Sequence, residues 1–506
     1  MIQYKFNWLR LNFLPLLIVT FILLFTSCSE LDERNFEDES YFTASHSAAL
    51  NDRGNTQGLK ASDGAILSYL RDGADLTAGF GLKAVDIGMD LRSNDMDMNS
   101  NTTHFHGYSL FDNGVLTDFE NEFLWEFFYK VINRSNSIIN SIADDSPQAL
   151  LDYKYKSLAY RGISYFYLLR LYQHTRAADN ADAVPIDFGD FKGNQNSTVA
   201  QVKKQITDDL GAAHLGLKDY SRSSKEEVDA SVVAAYLARY HLTYENWEEA
   251  ETYADEAMKV GSLSESVSHG FQSLGLSEVI WGAKVTDTTS EVYQSFFSHM
   301  SQIQDGYSGW NHEKSINSLL YDQIPSSDKR KAWFADQDYG PGVVIVPGTW
   351  GHYDSTSKYV ALKFYCNASD GSAGAGTFVG DYIYLRNAEF YLTKAEALAH
   401  QGKDGDAQDV LNDLNSVRDP DYVKSTSTGQ ALIDEILLYR RIEMWGEGLG
   451  AFDMARNGVG LNRKDGRENQ MVPGGDELVI PPLDSKLIFA IPLAELDAKP
   501  KASASQ

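Results

Sequence analysis

Two helical hairpins, far apart in the chain, carry alanine at matched positions, and they restrict the fold more than any other feature. In the first, Ala238 precedes Ala250 by twelve residues, with Trp247 and Tyr253 around it; in the second, Ala395 precedes Ala407 by the same twelve. Small side chains at such positions let antiparallel helices approach closely. Two hairpins are too few to stand alone as a solenoid, so they must pack on other helices. Those helices are legible. Between Glu120 and Ile142, apolar residues fall at Phe123, Phe127, Val131, Ile138 and Ile142, giving one continuous stripe. A second helix opens at Pro147 and runs to about Tyr172, carrying Tyr160, Ile163, Phe166, Tyr167 and Leu171. Others are expected at about 197–217, 228–244 and 247–260, and from Tyr391 through to Val417. The expected fold class is mainly α, with tetratricopeptide-like helix pairs and a helical scaffold over about 120–261 and 382–458.

Residues 262–380 have a different texture, rich in Gly, Ser, Asp and aromatics, with short apolar strands such as Val279-Ile280-Trp281 and Val343–Val346. Residues 74–118 look similar and include Asp90, Asn94 and Asp95. Long irregular segments carried by a rigid frame are where binding residues concentrate.

Lys5 and Arg10 give the chain a positive start, and the apolar run Leu11–Phe25 follows. At fifteen residues the run is shorter than the roughly 20 that span a bilayer as a helix. It reads as a signal h-region. Phe25-Thr26-Ser27-Cys28 then has the pattern of a lipobox, which predicts removal of residues 1–27, acylation of Cys28 and an acidic tether over 28–45. More than one acyl chain gives stable anchoring. The net charge of −27, more negative still without residues 1–27, argues against a nucleic-acid partner. With Cys28 acylated, Cys366 is left without a disulfide partner and reads as an inert buried thiol.

No catalytic constellation stands out. Seventy-one carboxylates guarantee chance acid pairs. His104 and His106 flank Phe105 and would share a face on a strand, but no third ligand lies nearby, so neither metal nor cofactor is expected. Gly371, Gly374, Gly376 and Gly380 lack the Gly-Lys-Ser/Thr ending of a phosphate loop. Aromatics in the irregular segments are better candidates, because sugar C–H faces stack on rings while hydroxyls pair with Asp and Asn. Tyr307 and Trp310 lie in a glycine-broken run, as do Trp350 and Tyr353, with no apolar stripe to bury them. Trp125, Trp247 and Trp445 fall in helical stretches and are expected in the core.

From about Glu120 onward the chain resembles the SusD/RagB family, the surface lipoproteins that partner TonB-dependent outer-membrane transporters in Bacteroidetes. The resemblance rests on Trp125, Tyr129, Ile132, Asn133 and Asn136, then Arg161 with Tyr165-Phe166, Val184-Pro185, Asp328 with Arg330, and Lys363-Phe364. Its most specific stretch is Tyr384-Leu385-Arg386-Asn387-Ala388-Glu389, followed by Ala395-Glu396-Ala397, Leu411-Asn412 and Val417-Arg418. Arg440-Arg441-Ile442-Glu443, Glu447-Gly448, Asp453, Arg456 and Ile491-Pro492 complete it. Asp419-Pro420 departs from the basic stretch usual there. The charged members of this set read as helix-joining ion pairs. The resemblance implies a single SusD-like domain over 28–506, a lipid anchor in the outer membrane facing outward, and a SusC-like transporter as partner. It also implies that the ligand site is built from the irregular segments, so Asp90, Asn94 and Asp95 join Tyr307, Trp310, Trp350 and Tyr353 as candidates. The expected ligand is a glycan or oligosaccharide, with a peptide, as in RagB-like members, or a surface hydrolase as the alternatives.

Overall fold

The computed structural model describes residues 56–73, 78–98, 104–111, 119–189, 197–290, 294–302, 306–308, 312–335, 359–366, 378–464 and 479–498. Cys28, Trp310, Trp350, Tyr353 and the expected strand Val343–Val346 lie outside them. The first half runs through α1 (Thr56–Asp72), α2 (Leu82–Leu91), β1 (Met96–Met98), α3 (Phe119–Ser141), α4 (Gln148–Tyr172), α5 (Val199–Gly216), α6 (Ala230–Thr243) and α7 (Trp247–Met258). The second half carries β2 (Val279–Ala283), β3 (Lys314–Ile316), β4 (Tyr382–Arg386), α8 (Asn387–His400), α9 (Asp404–Arg418), α10 (Gln430–Glu443) and α11 (Gly450–Arg456), with shorter turns of helix between. Helix dominates, as the periodicity predicts, and its boundaries fall within a few residues of the striped stretches.

Local chemistry sets those boundaries. Thr198 and Gln201 form a reciprocal capping box at the start of α5, and the Asp229 carboxylate accepts from the Ser231 and Val232 N–H groups at the start of α6. From α3 to α9 each helix packs on the next, and the contact of α7 with α8 joins the two hairpins. Ala238, Ala250, Ala395 and Ala407 have no exposed surface. Their lack of bulk is what permits the crossings.

Two expectations are corrected. Trp247 is half-buried rather than in the core, its ring lying flat on His400 at 3.9 Å between centroids; Trp125 and Trp445 are buried. The stretch read as irregular contains α2, all ten residues of which are buried. At ten residues it is short, and the charges along one face of it, Lys83, Asp86 and Asp90, are buried on partners of their own rather than turned to water.

The signature charges form the centre of the frame. Arg386, Arg418 and Arg330 converge on the Glu443 carboxylate, while Arg386 also grips Glu447 and Lys363 donates to Glu447 at 2.6 Å. Asp328 and Asn415 take the remaining N–H groups of Arg330. A second set pairs Arg239 with Glu389, Arg456 with Glu396 and Asp453, and Arg440 with Asp453. Arg161 clamps Asp209 with two 2.8 Å bonds and donates to Asn136, joining α3, α4 and α5. These residues hold helices together, as the mixed acid–base pattern predicts.

Candidate ligand-binding site

The two irregular stretches meet in an antiparallel ladder, β1 on β3, with Met96 opposite Ile316 and Met98 opposite Lys314. What lies at each end of the ladder follows from that register. At the Met96 end the chain runs back to Asp95, Asn94 and Asp90. At the Met98 end, His104 and His312 approach one another. Two residue steps, about 7 Å, separate the ends.

A cavity of about 570 Å³ opens at the first end, and Asp90, Asn94 and Asp95 line it together with Gln323, Arg441 and Trp445. Each acidic or amide group is already held. Asp90 is buried at the end of α2, and its two carboxylate oxygens accept from the Gly448 and Gly450 N–H groups at 2.9 Å. Burial pushes the Asp90 carboxyl up to about 7, against the pull of those two donors. Positive φ at Gly448 and the close approach of Gly450 to Ser93 let this turn come so near. Asn94 donates to the Gly460 carbonyl and accepts from the Asn462 N–H. Arg441 grips the Asp95 carboxylate, and the Asp95 carbonyl accepts from Trp445 Nε1 at 2.9 Å and from Asn317 N at 3.0 Å. These contacts give the cavity a fixed wall, with the indole of Trp445 and the half-exposed guanidinium of Arg441 set into it.

Tyr307 does not line this cavity. It is half-buried at the other end, with ring centroids of His104 at 4.4 Å, His299 at 4.8 Å and His312 at 5.5 Å. Phe80 and Phe105 pack behind His299. Burial and the neighbouring Lys314 push His104 down; burial, Lys314 and His104 push His312 down to about 4. Both imidazoles are therefore neutral at neutral pH, and this end presents uncharged rings. His104 and His106 do not share a strand face, because Phe105 adopts a left-handed φ of 61° and His106 opens a short helix. Among the described residues, no group of three His, Cys, Asp or Glu stands in metal-binding geometry. Sequence reasoning picked out Tyr307 and the 90–95 segment. It missed His299, His312, Gln323 and Arg441 as their neighbours, because only the ladder register brings them there.

A helical frame that presents a fixed-walled cavity and a neutral ring cluster from its irregular segments defines a ligand-binding scaffold. Comparison with known proteins narrows the class. The SusD family model matches residues 278–480, and a second model, described as starch-binding associating with outer membrane, matches residues 79–242. A SusD-like protein of Formosa agariphila is 21% identical over 395 residues, 69% of this chain and 74% of that one. The crystal structure of a SusD-like carbohydrate binding protein of Bacteroides vulgatus ATCC 8482 aligns at 24% identity with a TM-score of 0.72, covering 89% of this chain and 99% of that one. A laminarin binding SusD-like protein aligns at 18% identity with a TM-score of 0.64, covering 88% and 97%. The chain belongs to the SusD/RagB family.

Proposed function

We propose that this protein binds oligosaccharide at the cell surface and delivers it to a SusC-like TonB-dependent transporter, without bond chemistry of its own. In this reading residues 1–27 are removed, Cys28 carries the lipid anchor in the outer membrane, and 28–506 form one SusD-like domain. The observation that carries the sugar assignment is the chemistry at the two ends of the β1–β3 ladder. One end offers the half-exposed Arg441 beside Asp95, in a cavity of about 570 Å³ walled by the buried Trp445, and the other offers neutral imidazole and tyrosine rings. Saccharides present apolar C–H faces to rings and hydroxyls to such charged groups, and pockets of roughly 300–1,000 Å³ suit small ligands. The starch-binding family description and the laminarin-binding relative support the same class.

A glycan array probed with soluble protein beginning after Cys28, followed by calorimetry on each hit, tests the reading. Binding of neutral oligosaccharides, recovered unchanged, is the expected result. Binding confined to peptides, or shortened sugar products, would overturn it.

A further inference from the structure

A second, much smaller cavity of about 40 Å³ lies under the C-terminal segment, between α2, the end of α4 and α11. Arg92 and Arg170 both line it. Each guanidinium is sandwiched between two rings: Arg92 between Phe111 at 4.3 Å and Phe489 at 4.5 Å, Arg170 between Phe166 at 3.7 Å and Phe452 at 3.9 Å. Each uses one nitrogen on a backbone carbonyl, Arg92 Nη2 on Lys486 at 2.7 Å and Arg170 Nε on Phe166 at 3.1 Å. Arg92 Nη1 is buried without a hydrogen-bond partner.

Arg161, Arg330, Arg386, Arg418 and Arg456, also buried in the frame, each touch a carboxylate, and Arg92 and Arg170 differ from them in this. Among the described residues, Arg92 and Arg170 form no ion pair, and no Asp or Glu lines the cavity, in a chain of net charge −27. Tyr108 and Glu120 act on Arg92 electrostatically without hydrogen-bonding to it. Burial pushes Arg92 down to about 9, against the pull of Tyr108 and Glu120, and Arg170 down to about 10, the direction expected of cations taken from water with no carboxylate in contact. Rings offset part of that cost. A buried cation still calls for an anion.

We propose that this cavity is a binding site for one small inorganic anion of halide size, held by the Arg92 and Arg170 guanidinium groups that line it. Size sets the class. A single water needs on the order of 10–15 Å³ of such space, so the cavity takes a halide with a water beside it and excludes a sugar. The anion would fasten residues 482–489 to the scaffold, where the Phe489 N–H already donates to the Leu171 carbonyl at 2.8 Å.

Thermal melts at constant ionic strength, with chloride or bromide exchanged stepwise for gluconate, test the site. The wild type is expected to melt about 1–3 °C higher in halide, because an anion that binds only the folded chain stabilises it by mass action. Arg92→Met and Arg170→Met, which keep an apolar stem between the rings, are each expected to lose that difference. Should either variant fail to fold, crystals of the wild type soaked in bromide give an independent reading, with an anomalous peak expected between the two guanidinium groups. A melt insensitive to halide with no peak means that water fills the cavity and overturns the proposal. Halide dependence that survives in both variants overturns it as well.

Discussion

Arg386 Nη1 lies 2.6 Å from Glu443 Oε1, and neither side chain has any exposed surface. Arg330 and Arg418 reach the same carboxylate at 3.0 Å, so three guanidinium groups share one acid. They come from β4, from the turn Lys329–Trp333 and from α9, while Glu443 ends α10. Four segments distant in sequence are thus fixed to one point, and the ladder that carries the candidate site is borne by the same frame.

Removing the acid should therefore unfold the frame before it affects any ligand. Glu443→Gln leaves three buried cations short of their shared partner, and breaking a buried pair this way typically costs about 3–5 kcal/mol. Urea denaturation of the variant beside wild type measures it. A change within about 0.5 kcal/mol would mean that the cluster is not what joins these segments.

The same cluster predicts the response to acid. Burial alone would push Glu447 up, but Arg386 and Lys363 outweigh it and hold the carboxyl down to about 2; Glu443, against the same burial, is held well below the usual range by Arg418, Arg386 and Arg330. A depressed carboxylate contributes stability that is complete above its unfolded value of about 4.3 and is lost as pH falls through the folded value. For Glu447 that amounts to on the order of 3 kcal/mol between pH 5 and 2. Urea midpoints over that range should fall steeply in the wild type and less steeply in Glu447→Gln.

Close helix crossings give a third prediction. Ala238 and Ala395 have no exposed surface, and Ala395 belongs to the core cluster with Leu392, Leu398 and Leu411. Ala238→Trp or Ala395→Trp overpacks its crossing, at a typical cost of about 1–3 kcal/mol or more. A thermal melt unchanged in both would show that the helices can move apart freely.

What could be read from the sequence follows the range of the interactions. The hairpins were legible because a helix repeats its buried face every three or four residues, as Phe123, Phe127 and Val131 do. Helix α2 was not, since it is only ten residues long and its charged face, Lys83, Asp86 and Asp90, is buried on partners that the sequence does not reveal. Charged signature residues were legible as a structural class, but their partners were not: Arg386 and Glu443 are 57 residues apart, Arg441 and Asp95 are 346 apart. No periodicity links such pairs. Tyr307 could be singled out by the glycines around it, whereas His299 and His312 reach it only through the folding of their loops and the β1–β3 register.

Anchoring is tested apart from the fold. The apolar run Leu11–Phe25 is too short to hold the chain in a bilayer as a helix, so Cys28→Ala should leave a soluble or inner-membrane precursor. Metabolic labelling with palmitate followed by fractionation decides it. Equal label in wild type and variant would sink the lipobox reading.

The last prediction separates the two ends of the ladder as places for the ligand. Tyr307→Ala removes a ring from the histidine cluster, and Trp310→Ala and Trp350→Ala remove the loop indoles singled out in the sequence. Stacked aromatic contacts are worth roughly 0.5–1.5 kcal/mol beyond area burial, so each loss should weaken sugar binding about two- to tenfold. Gln323 is exposed on the rim of the 570 Å³ cavity, and Gln323→Ala should weaken binding while shifting stability by no more than about 0.5 kcal/mol if the sugar sits there. Trp125→Ala is the control, since loss of this buried indole costs about 3–5 kcal/mol of stability and reaches binding only through unfolding. Calorimetry with a sugar identified on the array, run beside melts of all five variants, distinguishes the outcomes. Weakening by Gln323→Ala and not by Tyr307→Ala assigns the ligand to the Asp95–Trp445 cavity, and weakening by Tyr307→Ala and not by Gln323→Ala assigns it to the Tyr307 end. If all four site variants bind as wild type does, the sugar contacts neither end of the ladder and the site must be sought on another face of the frame.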